Sequence, residues 1–333
     1  MKSLAVLGVV LISSAALAKP ARPGDAGGRP RPPDLVKPHP PPPPHRPPPP
    51  PDDDAPPPPP KEEVVPAGEM IDQRAELSDA GDPLRLVMTS GGKKPGIKLV
   101  SKTGAIELVT KTEGIGTMKT AHGTTLIALS VDDAKEPFRI ALFDGKKLTK
   151  VQRFARPAKA SNYPFAIAAT RTPDGFTVFF QEVETNNPNE AHTFMLDVAK
   201  DGTADKVTEV PIPWALGDAI WNGNGYHLAL LYTGEMRGAR ISMVSTSSSG
   251  QPSGHPDWST QPSAITDIHL VETDGKIHAI YRGGAGDHMY STDVTTIGQW
   301  GQVTAKTTDL GALANNVIIA VNAKGQATKV KTK

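Results

Sequence analysis

Tyr163, Trp214, Asp218, Glu235, Arg237, Asp267, His269, Arg282 and His288 carry the aromatic faces, carboxylates, guanidinium groups and imidazoles from which a polar binding surface can be built. An aromatic ring stacks on the apolar face of a sugar, and planar charged groups take neighbouring hydroxyls through paired hydrogen bonds. Spread between positions 163 and 288, these residues can cooperate only if the fold gathers them on one surface. Signatures of reaction chemistry are lacking. The chain has no glycine-rich phosphate loop before a helix, no histidine pair at zinc spacing and no Gly-x-Ser-x-Gly nucleophile turn. Asp201, Gly202, Thr203 and Asp205 look faintly like a calcium loop, but the alternating acidic ligands and closing glutamate are missing, and a plain hairpin turn explains them. The reading therefore assigns no catalytic residue, no metal and no cofactor. With 36 Lys and Arg against 35 Asp and Glu, the net charge of +1 leaves no basic footprint for nucleic acid.

The elements that must position those side chains are announced by glycine. Gly175, Gly225, Gly275 and Gly325 stand fifty residues apart, each closing a short polar turn (TPDG, NGNG, ETDG, NAKG). Strand-like runs follow three of them, Phe176 to Val183, Tyr226 to Thr233 and Lys276 to Arg282. Short segments rich in Val, Ile, Leu, Phe and Tyr alternate with Gly, Pro, Asn and Asp, and no long stretch has a helical period. The class is all-β. In the clearest unit an inner strand near Ile265 to Val271 leads through Asp274-Gly275 to Lys276–Arg282, then to His288–Asp293 and to Trp300–Val303. Such a four-stranded unit exposes a hydrophobic face that only a neighbour can cover, so repetition around an axis predicts a β-propeller. Similar units begin near Met118, Ile167, Ala219 and Ile318.

An early unit has strands at Leu84–Thr89, Ile97–Ser101 and Ile106–Thr110, with an inner strand at Ala75–Ser78, and the last unit stops after two strands. Six blades close the ring if Glu63 to Val65 adds an outer strand to the last sheet, and five if Val317 to Val321 serves the early unit; six is favoured. By fold-level analogy, binding loops lie between second and third strands and at the entry to each inner strand. That face collects the nine residues named above, opposite the glycine hairpins. The alternative for each of them is ordinary packing or solvation, the default for polar loop residues.

Ahead of the β region, which begins near residue 67, lie two other segments. Lys2, an apolar run from Leu4 to Leu17 and Ala16-Leu17-Ala18 have the form of a signal peptide over residues 1–18, cleaved after Ala18. The apolar run is shorter than the roughly 20 residues a spanning helix needs, so no stable membrane span is expected and the mature chain is placed in the periplasm or outside the cell. Without cysteine there is no lipid attachment site and no disulfide. Residues 19–66 hold 22 of the 34 prolines, a composition for disordered, polyproline-type linker rather than a packed core. It reads as a solvated leader, or as a stalk or a ligand for a proline-binding module. His39 and His45 within it are too isolated to make a metal site.

Ser291-Thr292-Asp293 followed by Gly298-Gln299-Trp300, at the corner between third and fourth strands, resembles a stretched Asp-box of the sialidase-like (BNR/Asp-box) β-propeller superfamily. Four residues separate Asp293 from Gly298 where the family has one. The neighbouring text IHAIYRGGAGDHMYSTD is similar to blades of that superfamily, whose box is structural. A sialidase-like hydrolase would imply three arginines, a tyrosine nucleophile with a glutamate partner and an acidic proton donor. Phe138-Arg139-Ile140 resembles part of the first arginine motif, yet Ala141 replaces its proline and the segment reads as a third strand. Arg237 and Arg282 fall on suitable loops, whereas Arg171 falls on the opposite face. Tyr281 and Arg282, adjacent in one strand, point to opposite sides. The expected function is an exported non-enzymatic propeller binding a glycan or protein through one face, with an envelope glycoside hydrolase as the alternative.

Overall fold

The computed structural model describes residues 69–157, 162–184, 187–234, 238–258, 265–283, 288–297, 304–305 and 317–331. Ala18 and the leader over residues 19–66 lie outside them, as does the Glu63–Val65 strand. Five four-stranded antiparallel sheets follow one another along the chain. Blade one is β1 (Glu69–Leu77), β2 (Pro83–Gly91), β3 (Gly96–Ser101) and β4 (Gly104–Thr110). Blade two is β5 (Gly114–Ala121), β6 (Thr124–Val131), β7 (Phe138–Phe143) and β8 (Gln152–Phe154). Blade three is β9 (Asn162–Thr172), β10 (Gly175–Glu184), β11 (Asn187–Ala199) and β12 (Thr208–Val210). Blade four is β13 (Leu216–Trp221), β14 (Gly225–Gly234), β15 (Gly238–Ser247) and β16 (Asp257–Trp258). Blade five is β17 (Ile265–Thr273), β18 (Lys276–Gly283), β19 (His288–Asp293) and β20 (Thr304–Ala305). A sixth sheet pairs β21 (Val317–Val321) with β22 (Ala327–Lys331).

The ring closes through the first strands. β1 packs on β5, β5 on β9, β9 on β13, β13 on β17, β17 on β21, and β21 returns to β1. The molecule is a β-propeller of five four-stranded blades, with the two-stranded sheet filling the sixth position. Val317–Val321 does not supply the inner strand of blade one; β1 does, beginning before the expected Ala75, and β21 hydrogen-bonds to β22 instead. The described fourth strand of blade five is Thr304–Ala305, paired to β19, and Trp300–Val303 lie outside the described residues.

Side-chain alternation explains the ring. Successive residues of a strand point to opposite faces, so each blade feeds two seams. In β6, Leu126 and Ala128 enter the seam with blade three, while Ile127, Leu129 and Val131 enter the seam with blade one. Six buried clusters of this kind occupy the six junctions. The glycine ladder marks the first hairpins, as its spacing implied: Asp274 and Gly275, at φ 53° and 73°, form the paired positive-φ turn that suits the twist of β17 and β18.

Candidate functional site

Five inner strands bring ionisable residues together in the ring, Glu76 on β1, Lys119 on β5, Arg171 on β9, Asp218 on β13 and His269 on β17, and Arg74 of β1 also lies close enough to act on His269. Lys119 Nζ reaches Asp218 Oδ2 at 2.9 Å, passing over the intervening β9, and both side chains are buried. Arg171 Nη2 donates to Glu76 Oε1, so this pair in turn spans β5. Bonds between non-neighbouring first strands cross the interior of the ring and link blades one to four. Neighbours lock the acids further. The Thr120 amide donates to Glu76 Oε1 at 3.0 Å, and the Leu270 amide donates to Asp218 Oδ2 at 2.8 Å. Arg171 Nε also donates to the Thr120 carbonyl at 2.6 Å.

Burial governs the titration of this cluster. It lifts the Glu76 carboxyl above its ordinary range, against the opposing pull of Arg171 and Lys119. Burial, helped by the nearby Lys119 charge, lowers His269 to about 4, so the imidazole is neutral at pH 7. His269 is half-buried in the ring. Taking ions out of water is costly unless they are paired, and these carboxylates and cations are spent on one another. Their chemistry is cohesion across the ring.

Of the nine residues singled out by sequence, Asp218 and His269 meet in this cluster. Arg282 instead donates from Nη1 to the Val317 carbonyl at 2.8 Å, tying blade five to the sixth sheet. Its neighbour Tyr281 points the other way, into the seam between blades four and five, where it stacks on Tyr290 and burial pushes its hydroxyl up to about 12. Trp214 packs on the seam between blades three and four, and its carbonyl accepts from buried Gln181 Nε2 at 2.7 Å. Glu235 and Arg237 lie outside the described residues, as do the side chains of Tyr163, Asp267 and His288, whose backbones belong to β9, β17 and β19.

Glu76, Lys119 and Arg171 were not singled out by sequence. A partial signal existed: Lys119, Arg171 and Asp218 are each the one charge of an otherwise uncharged first strand, and β21 has no charge, whereas Glu76 and His269 stand among other charged residues of β1 and β17. Arg171, set aside as facing the wrong side, does lie beside the first hairpin, yet its long side chain reaches inward to Glu76. Arg139 is a third-strand residue, as expected, and pairs with Asp133 at 2.9 Å away from the axis.

The corner that follows Ser291–Asp293 is held by local hydrogen bonds. Asp293 Oδ1 accepts from the Thr295 amide at 3.0 Å and from its hydroxyl at 2.6 Å, and with Lys276 alongside, these bonds hold the carboxyl down at about 2. Gly298 to Trp300 lie outside the described residues. Asp201 Oδ1 accepts from the Thr203 amide at 2.8 Å, an ordinary turn. Among the described residues, no group of three or more His, Cys, Asp or Glu is placed to hold a metal, and no helix is long and apolar enough to cross a membrane.

Two open grooves lie where the corner between third and fourth strands of one blade meets the preceding blade. One, of about 530 Å³, is lined by Met195, Asp197, Asp205, Lys206 and Thr208 of blade three with Ser248 and Ser249 of blade four. The other, of about 510 Å³, lies between blades two and three and includes Asp144, Lys147, Lys150, Lys200 and Asp201.

No family model and no curated protein matches the chain. Among solved structures, an Aleuria aurantia lectin variant in complex with Fucalpha1-6GlcNAc is similar at 12% identity and TM-score 0.45, over 78% of this chain and 87% of the lectin. The Penicillium chrysogenum alpha-L-arabinanase complexed with arabinobiose aligns at 14% identity and TM-score 0.45, over 73% of this chain and 82% of the arabinanase. A subtype N10 neuraminidase-like protein of A/little yellow-shouldered bat/Guatemala aligns at 9% identity and TM-score 0.42, covering 78% and 89%. Identities and scores in this range carry nothing about ligand or reaction.

Proposed function

We propose that the chain is an exported, non-enzymatic β-propeller that binds a glycan or a protein at or outside the cell envelope. One observation carries the preference for binding over catalysis. The described acids and cations inside the ring are engaged with each other across the axis, Lys119 with Asp218 and Arg171 with Glu76. A hydrolase needs a carboxylate pair facing a substrate, whereas a carboxylate bound to a buried cation is committed to the fold. Contacts are then left to loops and grooves on the outside of the ring. Export rests on the Lys2, Leu4–Leu17 and Ala16-Leu17-Ala18 pattern.

The second reading, a sialidase-like glycoside hydrolase, draws on the same cluster, because two carboxylates and an arginine do occupy one ring interior. A glycan array with the purified mature chain, run beside an arylglycoside hydrolysis screen, separates them. The binding reading expects captured glycan and no released aglycone. Turnover that Asp218→Asn abolishes would overturn it in favour of the hydrolase. Silence in both assays leaves a protein as the partner.

A further inference from the structure

The groove between blades three and four is built on a fixed floor. Gly250, at φ 79°, brings the β15–β16 corner onto blade three so closely that a Cβ there would stand 2.7 Å from Val210 Cγ1 and 3.4 Å from Met195 Sδ. Only glycine permits that approach at that backbone angle. Gly202 docks blade three on Leu142 of blade two in the same manner, and Gln152 Nε2 donates to its carbonyl at 2.7 Å. One docking device thus creates both grooves, and their linings differ.

In the groove between blades two and three, Asp144 and Asp201 turn their carboxylates onto amides of their own turns, leaving Lys147, Lys150 and Lys200 as the outward charges. Between blades three and four the carboxylate is held differently. Asp197, partly buried, accepts from the Thr177 hydroxyl, which lies 2.9 Å from the Tyr226 hydroxyl of blade four. Asp197 is therefore oriented by a hydroxyl pair that crosses the seam beneath the groove. Burial, reinforced by the neighbouring Asp205, raises its carboxyl above the ordinary range. Around it stand Lys206 as a donor, Thr208, Ser248 and Ser249 as hydroxyls, and Met195 as an apolar floor.

We propose that this groove is a binding site for a neutral, hydroxyl-rich ligand of one or two sugar units, seated on Met195 with its hydroxyls on Asp197, Lys206 and the serines. At about 530 Å³ the open groove has room for one or two sugar units resting on one face. Oriented carboxylates accept from adjacent hydroxyls more strongly than neutral acceptors do. Asp197 and Asp205 outweigh Lys206, so the lining disfavours an anion. The assignment rests on the glycan-binding reading above and narrows it to one site.

The test uses the full mature chain on an array of neutral oligosaccharides, then isothermal titration with the strongest one. Asp197→Asn is expected to weaken binding at least tenfold, and Ser248→Trp, which fills the groove from an exposed position, to abolish it. Lys147→Ala in the neighbouring groove is the control and leaves affinity unchanged. Affinity retained within twofold in both groove variants, with native circular dichroism, overturns the groove and leaves glycan binding standing. If Ser248→Trp fails to fold, Asp197→Asn decides. No glycan captured by the unsubstituted chain overturns the glycan reading, and the groove assignment with it.

Discussion

Between blades two and three the ring is sealed by Phe138, Phe176, Phe180 and Phe194, whereas between the sixth sheet and blade one it is sealed by Ala75, Leu77, Ile318, Ala320 and Val330. In the first seam Phe138 stacks on Phe180 with ring centroids 4.4 Å apart, and Phe194 lies 5.1 Å from Phe138. Large aromatic surfaces bring both area and ring–ring attraction. The closing seam has neither. What it has instead is polar reinforcement: Arg85 Nη1 of blade one reaches the Lys331 carbonyl at 3.3 Å, and on the other side of the sixth sheet Arg282 of blade five donates to the Val317 carbonyl. Glu76 of blade one is also bound to both blades two and three. Where the two ends of the β region meet without a disulfide, the ring is held by small apolar side chains and charge-assisted hydrogen bonds.

The comparison breaks first if closure is removed. Deleting residues 317–333 takes away the seam with blade five and the seam with blade one, including Ile318, Ile319, Val321 and Val330. At ~1.5–3 kcal/mol for each buried aliphatic side chain, the loss is on the order of 10 kcal/mol. That equals the whole stability of an ordinary domain. Calorimetry of the truncated chain should show no cooperative transition; an unchanged Tm would mean that the ring does not depend on its sixth sheet.

Single substitutions sharpen the contrast. Truncated alike to alanine, Phe180→Ala should cost about 4 kcal/mol in urea unfolding and Ile318→Ala about 2 kcal/mol, with the m-value unchanged in both. Equal costs would show that the aromatic seam is no stronger than the closing one.

The most conditional effect concerns the polar centre and its pH dependence. His269 has a folded pKa depressed from 6.5 to about 4, so between those values the unfolded chain binds the proton that the folded chain refuses. Its contribution is complete above pH 6.5 and is lost as pH falls toward 4, amounting to at most about 3 kcal/mol. Glu76, whose pKa is raised, works in the opposite sense: acidification relieves the cost of burying its charge. The difference in stability between the unsubstituted chain and His269→Asn isolates the histidine. It should shrink between pH 6.5 and 4; a constant difference would remove His269 from the buried cluster.

Much of the ring was legible in the order of residues. Strand-like composition bounded by turn residues gave Lys276–Arg282 and His288–Asp293 within a residue, because apolar side chains on both faces of a blade fill its two seams. The fifty-residue ladder marked first hairpins because Gly275 and its equivalents sit at tight turns between paired strands. A second set of glycines was not legible. Gly104, Gly145, Gly202 and Gly250 occupy the corner between third and fourth strands with positive φ, at unequal spacing because corner lengths differ from blade to blade. Asp218 and His269 were picked out as loop-face candidates, but their partner Lys119 was not, since it stands 99 residues from Asp218 and across the ring.

By itself, the sequence determined the class, the repeat and many of the strand boundaries, because strand composition and turn chemistry are local and act within a few residues. Tertiary structure alone decided that the axis holds crossed ion pairs and that the last hairpin stands as a sheet of its own. It also decided that a corner glycine opens a groove between Asp197 and Ser248. Those outcomes depend on which blade lies beside which, and on distances between residues fifty or more positions apart, which ring closure sets and no local pattern encodes.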